Sequence, residues 1–174
     1  MKIATLIAAA TLLAGAAANA ADEKLNDPQI ATIALTAHQI DADRGKLAVK
    51  KTKSDEVKQF AEQMVNDHTA NREEVLALAK KLGVKPQESS VTKSLEDGAK
   101  DTEKKLKKQK GAAFDKAYID AEVGYHEAVI NAVKTVLIPG AKNAEVKSAL
   151  QNAVPTFEGH LAHAKNVQAQ LASK

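Results

Sequence analysis

From residue 28 onward, apolar side chains recur every three or four positions in long stretches, and no segment alternates with a period of two. That periodicity commits the chain to amphipathic helices, which must bury one face against each other. Composition agrees. Only eight glycines and four prolines interrupt a sequence dominated by alanine, lysine, glutamate and glutamine, which are strong helix formers. Asp27-Pro28 reads as a cap with proline at the first helical position. Behind it, Ile30, Ile33, Ala37, Ile40, Leu47 and Ala48 form the stripe of a first helix ending near Lys51.

Ser54 caps a second helix whose stripe is Val57, Phe60, Ala61, Met64, Val65, His68, Val75, Ala79 and Leu82, with Gly83 beyond it as C-cap. Ser90 to Lys110 carries only a thin line of Val91, Leu95, Ala99, Thr102 and Leu106 on a highly charged helix, which reads as a solvated cover. A fourth helix runs from about Ala112 to Leu137 (Phe114, Ala117, Tyr118, Ala121, Tyr125, Val129, Ala132, Val136), and Pro139-Gly140 should stop it. The fifth runs from about Asn143 to Leu171, with Val146, Leu150, Ala153, Phe157, Leu161, Ala164, Val167 and Leu171 in phase across Pro155, which should bend it without ending it. The expected fold is all-α: a four-helix bundle with an additional short helix in the middle connection.

Residues 1–20 combine Lys2, an apolar run and an Ala18-x-Ala20 ending, the plan of a secretory signal peptide cut after Ala20. The remaining 21–174 form a single domain with a core from about 28 to 171. Export implies a periplasmic protein. With no cysteine after the apolar run there is no lipoprotein anchor, so membrane contact is at most peripheral. Cysteine is absent throughout, which excludes thiol catalysis, cysteine-zinc sites and covalent c-type haem. Lysine plus arginine number 25 against 22 acids, and both signs are mixed along the chain, so nucleic acid is not the expected partner; another envelope protein is. No Ser-His-Asp grouping or glycine-rich phosphate loop suggests an enzyme.

The histidines carry most of the functional signal. His68 and His160 lie within apolar stripes, His126 and His38 at stripe edges, and each of the four is at mid-helix. In an up-and-down bundle such residues share a layer. Imidazoles and carboxylates in one layer form either a buried hydrogen-bond network, the leading expectation, or a metal site. The metal alternative uses His68, His126 and His160, completed by His38, Asp41 or Glu122, and suits zinc or copper. It requires ligand nitrogens within about 4 Å of each other, with Asp41 or Glu122 holding the opposite nitrogen of at least one ring. Tyr118 and Tyr125 read as core residues with bonded hydroxyls.

The run from Val57 to Thr69 (VKQFAEQMVNDHT) resembles the signature of exported bacterial ferritin-like proteins grouped as domain of unknown function 4142. Phe114-Asp115-Lys116-Ala117-Tyr118, His126, and Pro155-x-x-x-x-His160-Leu161-x-x-Ala164 match its other recurring positions, over about Pro28 to Leu171. The resemblance implies a helical bundle outside the cytoplasm and no particular reaction. Di-iron ferritin-like sites use Glu-x-x-His on two helices. This chain has none: Glu122 and His126 are four apart, and Glu158 and His160 two apart. A di-iron oxidase is therefore not expected.

Overall fold

A computed structural model describes residues 24–173, and the expected cleavage site after Ala20 lies outside them. Five helices account for nearly all of the described chain: α1 (Asp27–Lys51), α2 (Asp55–Lys81), α3 (Ser90–Lys108), α4 (Gly111–Ala132) and α5 (Ala144–Ala172). Each begins and ends for local reasons. Asn26, not Asp27, caps α1: its side chain accepts from the Gln29 amide while Gln29 reaches back, a capping box. Asp27 is thereby freed to accept from the amides of Lys142 and Asn143 at 2.8 and 3.0 Å, tying the start of α1 to the start of α5. Ser54 caps α2, and Gly83 (φ 65°) ends it in a left-handed turn that only glycine adopts at no steric cost.

Two prolines behave differently from each other. Pro155 lies inside an unbroken α5, as its in-phase stripe requires. Pro139 does not stop the fourth helix at Leu137. The chain instead passes through a π-helical stretch, Val133–Leu137, into a last turn, Ile138–Gly140. Widening the spiral ahead of Pro139 lets the Ile138 amide bond to the Val133 carbonyl. That accommodates a residue lacking a donor, where the regular spiral would clash with it.

Chain direction follows from end-to-end contacts. Asn26 and Thr32, near the start of α1, bond to Gln87, just before α3. Lys51, at the end of α1, donates to the carbonyls of Leu106 and Lys107 at the end of α3. The α3 helix therefore runs beside α1 and parallel to it, carrying the chain across the length of the bundle. The α1–α2 and α4–α5 pairs are antiparallel, with α2 also on α5 and α1 on α4. This is a ferritin-like helical bundle with one long crossover. As its thin apolar line predicts, α3 buries only Val91, Thr92, Leu95 and Leu106.

The apolar core is split in two. One cluster fills the end near the start of α1, around Ile30, Ile33, Leu137, Leu150 and Phe157. The other fills the opposite end, around Phe60, Met64, Phe114, Tyr118 and Val167. Between them lies a polar layer of His38, Asp41, Arg44, His68, Glu122, His126 and His160, all buried.

Where α1 crosses α2, Gly45 makes the approach close. A β-carbon there would sit 2.9 Å from both the Ala61 carbonyl oxygen and Val65 Cγ2. A backbone oxygen cannot swing aside. Gly45→Ala is expected to destabilise the fold by about 1–3 kcal/mol, the usual cost of overpacking, seen as a lower urea midpoint. An unchanged midpoint would show that the helices can separate freely.

Candidate metal centre

The polar layer draws on four helices. His38, Asp41 and Arg44 come from α1, His68 from α2, Glu122 and His126 from α4, and His160 from α5. On α1 the sequence pattern misplaces the inner face. Ile40 and Leu47 are half-buried, while His38, assigned to its edge, and Asp41, outside the stripe, are 5% and 0% exposed. The gap between Ile40 and Leu47 in the apolar stripe is where the polar side chains turn inward. Edge placement also fails for His126, which is fully enclosed.

Each imidazole uses one nitrogen as a tether. His160 Nε2 is 2.9 Å from Asp67 Oδ2, and Gln63 donates to that same oxygen. His126 Nδ1 is 3.0 Å from the Glu122 carbonyl oxygen. His68 Nδ1 is 3.0 Å from Nδ1 of His38. The other nitrogen of each of these three rings, namely His68 Nε2, His126 Nε2 and His160 Nδ1, is buried with no hydrogen-bond partner. Both Asp41 carboxylate oxygens and Glu122 Oε2 are buried as well, and the two carboxyl groups share a hydrogen bond when Glu122 holds its proton.

These atoms converge. His68, His126 and His160 bring ligand atoms within 4.8 Å of one another, and so do Asp41, Glu122 and His126. The bound is looser than the 4 Å the sequence argument asks for. Asp41 Oδ2 is 3.5 Å from His68 Nε2 and 3.6 Å from His126 Nε2. Those separations are long for hydrogen bonds. They lie close to the edge of a tetrahedron of ligands, about 3.3 Å when each bond to zinc is ~2.0–2.1 Å.

The assignment of roles differs from the sequence expectation in two respects. His38 joins no ligand group; it braces His68. The carboxylate holding the far nitrogen of a histidine is Asp67, while Asp41 and Glu122 face the centre. Asp67 is 40% exposed on its side chain, and its signal in the sequence was only its place beside His68. Arg44 was missed, although it lies three residues after Asp41 in the gap of the stripe. It pairs with Glu122 at 3.3 Å and stacks on Tyr125, 4.6 Å from the ring centre. Four-residue spacing does not part Glu122 from His126, because i and i+4 share a helix face. Glu158 is on the surface, paired with Lys134. The Tyr125 hydroxyl donates to the Ala37 carbonyl, whereas the buried Tyr118 hydroxyl has no partner.

Burial sets the electrostatics. It lowers the pKa of all four histidines, aided by neighbouring imidazoles at His38, His68 and His160, and takes His38 and His68 to about 3. Neutral imidazole is the form that binds a metal. Burial raises Asp41 to about 6 against the pull of Arg44. Burial, with Asp41 beside it, raises Glu122 to about 8. A buried cation would reverse both acid shifts by favouring the ionised carboxylates.

The profile of domain of unknown function DUF4142 matches residues 12–167. The chain belongs to the DUF4142 family. No curated protein and no solved structure matches it. DUF4142 membership agrees with the bundle, and for this member the layer adds a buried histidine and carboxylate cluster capable of coordinating a metal ion.

Linkage gives the pH dependence of the chelator-treated protein. The histidines resist protons that the unfolded chain accepts at 6.5, so their contribution is complete above that value and lost as pH falls through it, toward 3 for His38 and His68 and in the same direction for His126 and His160. Asp41 and Glu122 act in the opposite sense: acidification from above 8 relieves the cost of their buried charge. Four histidines outweigh two acids, so the urea midpoint is expected to peak at about pH 7 and fall by pH 5. A midpoint that keeps rising down to pH 5 would contradict these protonation states.

Proposed function

We propose that this protein is a periplasmic metal-binding bundle that holds a zinc or cupric ion between His68, His126 and His160, with Asp41 as fourth ligand and Glu122 beside it. The observation that carries this reading is the buried cluster that α1, α2, α4 and α5 bring together in two overlapping groups sharing His126, with His68 Nε2, His126 Nε2 and His160 Nδ1 left without hydrogen-bond partners. A self-contained hydrogen-bond network, the leading expectation from sequence, would pair such atoms, because each one left bare costs about 1–3 kcal/mol. One ion would engage the three bare imidazole nitrogens and an Asp41 oxygen together. The outer partners Asp67, His38 and the Glu122 carbonyl supply the orientation that metal-binding histidines use. Imidazole and carboxylate donors favour zinc or copper over magnesium or calcium.

Calorimetric titration of tag-free, chelator-treated protein tests the proposal. One-to-one binding of zinc or copper is expected, lost in both His68→Ala and His160→Ala. Asp67→Asn, a half-exposed change outside the centre, should weaken binding by about 10–100-fold, as loss of such an outer partner does. Absence of binding in the natural protein, or equal binding in all variants, would return the histidines to a structural role.

Export is part of the same proposal and rests on residues 1–20. N-terminal sequencing of protein from a fractionated native host should find Ala21 first, in the periplasm. A cytoplasmic product retaining Met1 would defeat it.

A further inference from the structure

We infer that the lower half of the bundle, around the cluster that contains Ile33 and Phe157, is a binding site for a small neutral molecule with an apolar body and a single polar group. A cavity of about 110 Å³ lies there between α1, α2, α4 and α5, with the start of α3 also on its wall. Its walls are aliphatic except for Phe157 and one polar side chain, His38. This inference does not depend on the ion.

Several features set the cavity apart from a packing fault. Protein interiors are normally filled to crystal-like density, and a void of this size forfeits stability. Here it is kept open by alanines on four helices, among them Ala34, Ala79, Ala132 and Ala153, where any larger aliphatic residue would fill it. The π-helical stretch contributes Val133, Val136 and Leu137 to one wall. Along α2, the stripe residues Val75, Ala79 and Leu82 are only half-buried, and no residue after His68 in that helix is buried. The second half of α2 thus presents its apolar face to the cavity and leaves it without close packing.

The lining also specifies the guest. Its volume is somewhat below the ~150 Å³ of an apolar cavity known to hold benzene, which limits the body to about six carbon atoms. No charged side chain lines it, so an ion would be desolvated without compensation. His38, whose Nδ1 lies against His68, is the one lining residue whose side chain can offer a guest a hydrogen bond. Because His38 braces His68, a guest bonded to His38 sits one imidazole away from the candidate metal centre.

Phenol, benzene and benzoate are the probes, titrated calorimetrically into the full-length chain after chelator treatment. Phenol should bind one-to-one and about fivefold tighter than benzene, the worth of one ordinary hydrogen bond. Benzoate should bind at least about tenfold more weakly than phenol, its charge finding no partner. Phenol should shift the His38 ring resonances and leave those of the distant His163 in place. Ala132→Leu and Ala34→Leu, each checked for an intact thermal transition, should abolish binding by occupying the space. No binding by phenol, equal binding of benzoate, or phenol binding that survives both fillings would overturn the inference. The metal titration is scored separately, so either reading can fail alone.

Discussion

Three buried imidazole nitrogens without hydrogen-bond partners and two buried carboxyl groups lie in a single layer at the middle of this bundle. Everything around them is arranged as though that layer had to be kept. Burying a polar group without a partner is among the costlier things a fold does, and a half-satisfied network is worse than an apolar core. The tethers show that the layer is organised: each of the three converging rings has one nitrogen fixed from outside, which turns the other inward. Such an arrangement is a cluster capable of coordinating a metal ion.

The rest of the architecture follows from carrying that layer. Apolar contacts are confined to the two ends, where Phe60, Met64 and Phe114 close one half and Ile33, Leu137 and Phe157 the other. Gly45 brings α1 close to α2 one residue beyond Arg44, holding the two helices that bear Asp41 and His68 at short range. Arg44 places a guanidinium against Glu122, limiting the repulsion between two buried carboxylates. The crossover through α3 is what allows α1, α2, α4 and α5 to be antiparallel to their neighbours, so that mid-helix residues of all four meet.

Relation to di-iron bundles is one of scaffold and not of ligand set. Those proteins place a glutamate on each of two helices and Glu-x-x-His on the other two. Here the corresponding layer holds an aspartate on α1, a histidine on α2, a glutamate and a histidine on α4, and a histidine on α5. Three of these five donors are imidazoles, and the layer includes an arginine. A layer with these donors suits a single borderline ion better than a pair of oxygen-loving ones. DUF4142 membership carries no activity with it, so the chemistry has to be argued from the layer itself.

Helix number, helix ends to within a few residues, the cover role of α3 and the continuity of α5 through Pro155 were all legible in the sequence, because they depend on local propensity and on three-four periodicity. So was the candidacy of His68, His126 and His160, since a histidine in an apolar stripe is conspicuous. Periodicity could not show that α1 turns His38, Asp41 and Arg44 inward, because polar residues on an inner face look like a break in the stripe. Nor could it show that Asp67 serves His160, ninety-three residues away, or that α2 stands over a cavity at its second half. Pro139 read as a stop because the π-helical widening that absorbs it has no simple sequence signature. Which nitrogen is tethered, which atom is left bare and how closely the bare atoms approach are properties of side chains meeting across helices. Those meetings are fixed by crossover, helix rotation and depth, which no single segment encodes, and only the tertiary structure decided them.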